Sequence, residues 1–563
     1  MKKASLLLAG CSTSRPTATT TARDTTTASV QSSSASATND GDEAEKAEKT
    51  RPPAPSRAPQ DWYHLDRVPR SGPGLNTRGA YHSVLQDRVP HDTVEVAIID
   101  SGIDIDHEDL VAKTWTNADE VPGNDVDDDN NGYVDDVHGW NFIGGPNGKN
   151  VHYDTYELTR IYVRLREQFA DVDSADVAPR NRDQYQRYQK IKRTFKKKRR
   201  QAKKRLAQVR KAQAAVQRST KLLKAHLQTD TLTEEAVRSV SSPKRGLIRA
   251  KKTLLYFYDQ GLSPADLQTY KKQLKQKVKY NYNPDFNPRP IVGDDYSDKT
   301  ERYYGNNDVE GPDPAHGTHV AGIIGAMRRN DLGIKGIARG VHLMSIRTVP
   351  NGDERDKDVA NAIRYAVNNG AEIINMSFGK SYSPYKEVVD AAVQYADSMG
   401  VLMVHAAGND GANVDSTDNF PSPYYENGGK AKRWIEVGAS SWKGGRQLVA
   451  SFSNYGNKRV DVFAPGRSIY STVPHNQYER NNGTSMAAPM VSGLAALIMA
   501  YYPSLTALQV RSIILDTATR YKDQIVKRPG GKGTVRFGKL SRTGAIVDAR
   551  AALQRAAQMT ASK

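Results

Sequence analysis

Three short segments of this chain carry side chains suited to nucleophilic chemistry. Late in the sequence, Asn482-Gly483-Thr484-Ser485-Met486-Ala487-Ala488-Pro489 sets a serine among small residues at the head of an apolar stretch, residues 490–500. Ser485 reads as a nucleophile at a helix N-terminus, where unpaired backbone N–H groups and the positive end of the helix dipole favour developing negative charge. Two upstream segments partner it. Val96-Ala97-Ile98-Ile99-Asp100-Ser101-Gly102 is an apolar run ending in a carboxylate, and His316-Gly317-Thr318-His319-Val320-Ala321-Gly322 puts a histidine before glycine and a second small-residue helix.

Strands are expected to position these groups. Residues 94–99 form a near-continuous apolar run, which suits a central parallel strand buried on both faces. A carboxylate at the carboxyl end of such a strand lies where open α/β sheets place their sites. Residues 400–405 read as another buried strand, followed by the loop Ala406-Ala407-Gly408-Asn409-Asp410, and Ile373-Ile374-Asn375-Met376 leads into Ser377-Phe378-Gly379.

In the order Asp, His, Ser, the three segments resemble the catalytic blocks of the subtilisin-like serine proteases, the subtilase family, whose chain order differs from that of other folds using the same chemistry. The resemblance covers roughly residues 61–150 and 290–555. It implies a three-layer α/β/α fold with a largely parallel sheet, and a serine endopeptidase acting on protein or peptide substrates. It also implies roles. Asp100 would accept the Nδ1–H of His316, His316 would be the general base with His319 structural, and Ser485 would attack the scissile carbonyl. Asn409 and the backbone N–H of Ser485 would form the oxyanion hole. Ser377, Phe378, Gly379 and Gly408 would line the substrate, with residues 340–349 as the opposite substrate-binding strand. A metal-binding reading of His316 and His319 lacks the Glu that a zinc protease helix carries between its histidines. A sedolisin-type enzyme would need an acidic base in place of His316.

A further motif points to a cation. Asp127, Asp129, Asn131, Gly132 and Asp135 have the D-x-D-x-N-G-x-x-D spacing of an EF-hand-like calcium loop. The expected calcium set is Asp127, Asp129, Asn131, Tyr133 and Asp135. Position 12 is His138 in place of the bidentate Glu, and the other reading is a solvated acidic turn. By resemblance, Asp109 and Asn330 match residues of a second calcium site, which stays open. No organic cofactor is expected.

Between Asp100 and His316 lies an insertion, expected over residues 151–285. From Gln184 to Thr229 there is no Asp or Glu, while Lys and Arg crowd residues 190–211. Ala202, Leu206, Val209, Gln213, Val216, Thr220, Leu223 and Leu227 step by 4 and 3 like a coiled-coil seam, weakened by its polar members. Thr231 with Glu234 offers a capping box for a second helix, interrupted at Pro243, and Ser263-Pro264 starts a third. These elements predict an α-helical hairpin or bundle rooted beside the substrate cleft. Its cations could meet an anionic envelope surface, a protein partner or substrate, or only solvent. Aromatics placed for base stacking are absent, so nucleic acid is not expected.

The chain has 563 residues and a formal net charge of +18. No stretch of about 18 apolar residues predicts a membrane-spanning helix. The single cysteine, Cys11, follows Met1-Lys2-Lys3, a short apolar run and Leu8-Ala9-Gly10, which resembles a bacterial lipoprotein signal. Residues 1–11 are therefore expected to be a signal ending at a lipidated Cys11, and residues 12–60 a disordered tether rich in Ser, Thr, Ala and Pro. The catalytic domain is expected in two parts, 61–150 and 286–563, exported and lipid-anchored in the cell envelope. The rival reading is a slow or inactive protease-like scaffold whose basic helical insertion is the working part.

Overall fold

The computed structural model describes residues 57–67, 71–259 and 263–561. Cys11 and residues 12–56 of the expected tether lie outside them. Two compact units separate. One comprises residues 204–272, and the other the described residues from Arg57 to Lys203 and from Gln273 onward.

The larger unit is built on strands β1 (Val94–Asp100), β2 (Gly139–Asn141), β3 (Val341–Arg347), β4 (Ile373–Met376), β5 (Leu402–Ala406), β6 (Trp434–Ser440) and β7 (Val462–Pro465). A hairpin, β8 (Ile469–Val473) with β9 (Gln477–Asn481), and a small ribbon, β11 (Ile525–Lys527) with β12 (Thr534–Arg536), stand apart from the main sheet. The short strands β10 (Thr519–Arg520) and β13 (Ala545–Ile546) complete a nine-stranded sheet of order β10-β13-β7-β6-β5-β4-β1-β3-β2. Every pair in it is parallel except β10 with β13.

Alternation along β1 explains the layering. Val94, Val96 and Ile98 enter one apolar cluster, while Ala97 and Ile99 enter another on the opposite face. The helices of this unit outside the insertion are α1 (Thr77–Ser83), α7 (Ala315–Gly325), α8 (Asp356–Asn368), α9 (Lys386–Ser398), α10 (Thr484–Tyr501), α11 (Ala507–Asp516) and α12 (Ala549–Ala561), counted after the five insertion helices given below. Residues of α7, α10, α11 and α12 fill the first cluster and residues of α8 and α9 the second. The result is the expected three-layer α/β/α arrangement. Among the described residues α10 alone is long and apolar enough to cross a membrane, but 94% of it is buried in this core.

The insertion contains α2 (Glu157–Phe169), α3 (Arg182–Leu227), α4 (Glu234–Ser239), α5 (Arg245–Tyr258) and α6 (Pro264–Gln276). Within the larger unit α2 and the first part of α3 share their own apolar cluster: Leu158, Ile161, Tyr162, Leu165 and Phe169 with Tyr188, Ile191 and Phe195. The seam on α3 follows the expected register through Ala202, Leu206, Val209, Gln213, Val216 and Leu223, all buried. It drifts at Thr220, where Ser219 is the buried residue instead, because a 3.6-residue turn slips against a seven-residue repeat. The cap of α4 is Thr233, whose hydroxyl accepts from Ala236 N, and not Thr231. Ser263 caps α6 as expected, its Oγ accepting from Asp266 N at 3.1 Å.

Buried ion pairs and hydrogen bonds fasten the root of the insertion to the start of α8 and to the segment after β4. Arg160 on α2 pairs with Glu157 at 2.5 Å and donates to the carbonyls of Asp353 and Glu354, both at 3.0 Å. Lys380, next to Gly379, reaches Asp356 at 2.8 Å, Glu157 at 3.5 Å and the carbonyl of Glu354 at 2.7 Å. Burial pushes the carboxyls of Asp353 and Glu354 up, to about 6 and about 7, against the opposing pull of Arg160 and Lys380.

Candidate active site

Register brings the carboxyl ends of β1, β4 and β5 to one sheet edge, since Ile99 pairs with Met376 and Met376 with His405. Asp100 therefore ends beside the Ser377 segment and the loop that carries Asn409. Its side chain is 1% exposed. Helix α7 starts against this edge, and a Cβ on Gly317 would run into the carbonyl of Gly102. That close approach lets His316 Nδ1 meet Asp100 Oδ1 at 2.6 Å, while the ring keeps 42% of its surface open. Partial burial disfavours the imidazolium, but the charge and hydrogen bond of Asp100 overcome it, so the His316 pKa is raised above the ordinary 6.5. His319 has a different fate. It is fully buried, bonded at 3.2 Å to the carbonyls of Ile469 and Glu479 in the hairpin, and burial holds its pKa down at about 3.

Ser485 lies in the first turn of α10. Its hydroxyl donates to the carbonyl of Ser377 at 2.9 Å and forms no hydrogen bond to His316. Pro489 inside α10 lacks the N–H that would pair with the Ser485 carbonyl, and Ser377 Oγ donates to that carbonyl at 3.0 Å instead. The substrate-side segment and the nucleophile are thus tied together by two hydrogen bonds.

Asn409 is oriented by α10. Its Oδ1 accepts from Thr484 N at 2.9 Å and from Thr484 Oγ1 at 3.2 Å, which turns the NH₂ the other way. A Cβ placed on Gly483 would stand 3.4 Å from Ser485 N and 3.5 Å from Asn409 Nδ2. Both donors therefore lie close to this glycine.

Ser377 is buried, Phe378 half-buried and Gly379 exposed. Gly379 and Gly408 both face the side chain of Asn419, which their Cβ atoms would approach to 2.6 and 3.7 Å and whose Nδ2 donates to the Ala406 carbonyl at 3.2 Å. No spacing signal marks Asn419 in the sequence. Residues 340–349 are not a free substrate-binding edge. Residues 341–347 of this segment are β3, paired along one side with β1 and at Ser345, Ile346 and Arg347 with β2, and those three are buried.

The acidic loop keeps Asp127 and Asp129 of the expected ligand set, adds Glu120 and draws off Asp135. Asp127 and Asp129 lie with Glu120, each offering a carboxylate oxygen within 4.8 Å of the others. Glu120 is 6% exposed, and its Oε2 is buried without a hydrogen-bond partner. Burial, with Asp136 and Asp129 nearby, pushes its pKa up. An orphaned buried carboxylate oxygen beside two more carboxylates fits a hard divalent cation such as calcium. Asp135 is turned away from the group and accepts from the backbone N–H of Gly123 at 2.7 Å and of Asp125 at 2.9 Å. Asn131 and Tyr133 would ligate through Oδ1 and the backbone carbonyl; Asn131 Oδ1 accepts from Tyr133 N at 2.8 Å, while its Nδ2 donates to Asp129 and Asp136. Asp109 and Asn330 do meet, at 2.5 Å, but the Asp109 carboxylate is also filled by Ile334 N and Tyr478 OH.

Subtilisin DY from Bacillus licheniformis is 40% identical over 224 residues, which is 39% of this chain and 75% of that protein. A thermophilic serine proteinase from Bacillus sp. strain AK1 is 37% identical over 267 residues, 47% of this chain and 58% of that one. A solved structure of a protease from Pseudoalteromonas arctica superposes with a TM-score of 0.36 and 29% identity, over 45% of this chain and 78% of that one. For several other subtilisins, including subtilisin E from Bacillus subtilis, the chain spans about half of the relative's length, 51%. The pattern of the subtilase family runs from residue 91 to residue 533, through both flanking halves and the insertion between them. With a match of that extent the chain belongs to the subtilase family of serine peptidases.

Proposed function

We propose that this protein is a serine endopeptidase that hydrolyses peptide bonds through an acyl-enzyme on Ser485. The observation that carries the reading is that Asp100 meets His316 Nδ1 at 2.6 Å while Ser485 N and Asn409 Nδ2 both lie close to Gly483. Two donors so placed can take up the charge that develops on a carbonyl oxygen, and losing one such donor costs roughly 10²–10³ in kcat.

An extended peptide pairing with the Ser377 segment brings its own N–H to the Ser377 carbonyl and releases the Ser485 hydroxyl from it. Ser485 Oγ then attacks the scissile carbonyl carbon as its proton passes to His316 Nε2, while Asp100 holds Nδ1–H and stabilises the imidazolium. The oxyanion sits between Ser485 N and Asn409 Nδ2. Its collapse breaks the C–N bond, and His316 returns the proton to the leaving amine. Water, activated by His316 in turn, attacks the ester and frees Ser485. A serine-directed fluorophosphonate should label the protein and not its Ser485→Ala variant, and Asn409→Leu should label markedly more slowly. No labelling of the parent would sink the reading.

A finer reading assigns Glu120, Asp127 and Asp129 to a structural calcium ion. Bound calcium would offset two of the three crowded negative charges and tie Glu120 to Asp127 and Asp129. EDTA should lower Tm by several degrees, restored by calcium, and Glu120→Gln should lose that response. Equal Tm with and without chelator would rule it out. The N-terminal sequence adds an expected location: an exported protein, anchored in the bacterial envelope through lipidated Cys11.

A further inference from the structure

The face of α3 turned away from its apolar side carries a line of cations. In the larger unit Lys190, Arg193, Lys197 and Arg200 recur at steps of 3, 4 and 3 residues. At 3.6 residues per turn they share one line of the helix, on the side opposite Tyr188, Ile191 and Phe195. Those three residues are buried in the cluster with α2, whereas all four cations are exposed, as are Lys196 and Lys203 beside them. None of the six pairs with a carboxylate among the described residues. There is also no Asp or Glu between Gln184 and Thr229 to do so from the same helix.

Like charges three and four residues apart repel and weaken a helix. The line is therefore a liability to the fold alone, and it becomes favourable once negative charge covers it. It offers no aromatic platform, because the rings of Tyr188 and Phe195 point inward, so bases of a single strand have nothing to stack on. A straight row of long, exposed cationic side chains matches a flat array of phosphates.

We propose that this ridge docks on the anionic headgroup surface of a phospholipid bilayer. The inference goes beyond the peptidase reading and draws one supporting argument from the envelope location proposed above, where a lipidated N-terminus would already hold the chain at a membrane. Each Lys or Arg near an anionic bilayer strengthens binding by about 5-fold, so four act together on the order of 10²–10³.

The test uses the full chain carrying Cys11→Ser, so that no lipid anchor contributes, and sediments it with vesicles of phosphatidylcholine alone or mixed with phosphatidylglycerol. The protein should sediment with the mixed vesicles, stay in solution with the neutral ones, and be released by high salt. A variant combining R193Q, K197Q, R200Q and K190Q should lose 10²–10³ in partition coefficient while its Tm holds or rises and its fluorophosphonate labelling is kept. Unchanged vesicle binding by that variant would overturn the proposal. So would equal binding to neutral vesicles, or preference for double-stranded DNA or an acidic protein over the mixed vesicles. Because labelling by the fluorophosphonate is read separately, failure here leaves the peptidase reading standing, and failure there leaves this one.

Discussion

Ser485→Ala and His316→Ala are each expected to lower kcat toward a peptide substrate by on the order of 10⁶, with KM little changed. The two losses should be nearly equal, and the double variant should be no worse than either. Removing the hydroxyl leaves no nucleophile, and removing the imidazole leaves the hydroxyl with only the Ser377 carbonyl as partner, which accepts a hydrogen bond but cannot take the proton. A residual rate above that of water should survive from Ser485 N and Asn409 Nδ2, which neither substitution removes. Additive losses in the double variant would mean that the two side chains act independently, and the triad assignment would then be wrong.

The second large effect belongs to Asp100. Asp100→Asn should lower kcat by about 10⁴, because an amide at that position stabilises the wrong imidazole tautomer and cannot offset the imidazolium charge. Its pH signature separates this from simple damage. In the parent, His316 must be neutral to accept a proton. Since Asp100 raises the His316 pKa above 6.5, the acidic limb of kcat/KM should lie above that value, with activity rising as pH increases through it. Without the carboxylate, partial burial is the main remaining influence, and burial disfavours the charged ring. The limb should then move down in pH. A limb that stays in place in the variant would mean that His316 is not the titrating base.

Individual residues show how far sequence reasoning reached. The Asp100, His316 and Ser485 blocks are local. Each consists of a strand end or helix start whose composition is dictated by its own neighbours, so their element types could be read directly. The loop from Asp125 to Asp136 was legible as acidic and glycine-bearing, but its geometry was not. Glu120, seven residues before Asp127, joins the carboxylate group only because the chain bends back on itself, and Asp135 is drawn off by the backbone amides of Gly123 and Asp125. Residues 340–349 were misread for a similar reason. A strand covered on both edges and one free to take substrate share the same apolar run, and only pairing with β1 and β2 tells them apart.

The insertion divides the same way. Its helices, its acid-free stretch and most of its seam follow from helical periodicity. Its root does not, because the bonds of Arg160 to the 353–354 backbone and the pairing of Lys380 with Glu157 join residues about two hundred positions apart.

By itself the sequence determined the reaction class, the order of the three groups and the chemical character of the basic arm, since residue type and short-range spacing suffice for each. Only the tertiary structure decided how those groups are poised. It set the Asp100–His316 contact, turned the Asn409 amide by its bonds to Thr484, and left the Ser485 hydroxyl on the Ser377 carbonyl. The physical reason is range: hydrophobic periodicity and caps act within a few residues, whereas a hydrogen bond or buried ion pair requires atoms distant in sequence to lie within about 3 Å of one another.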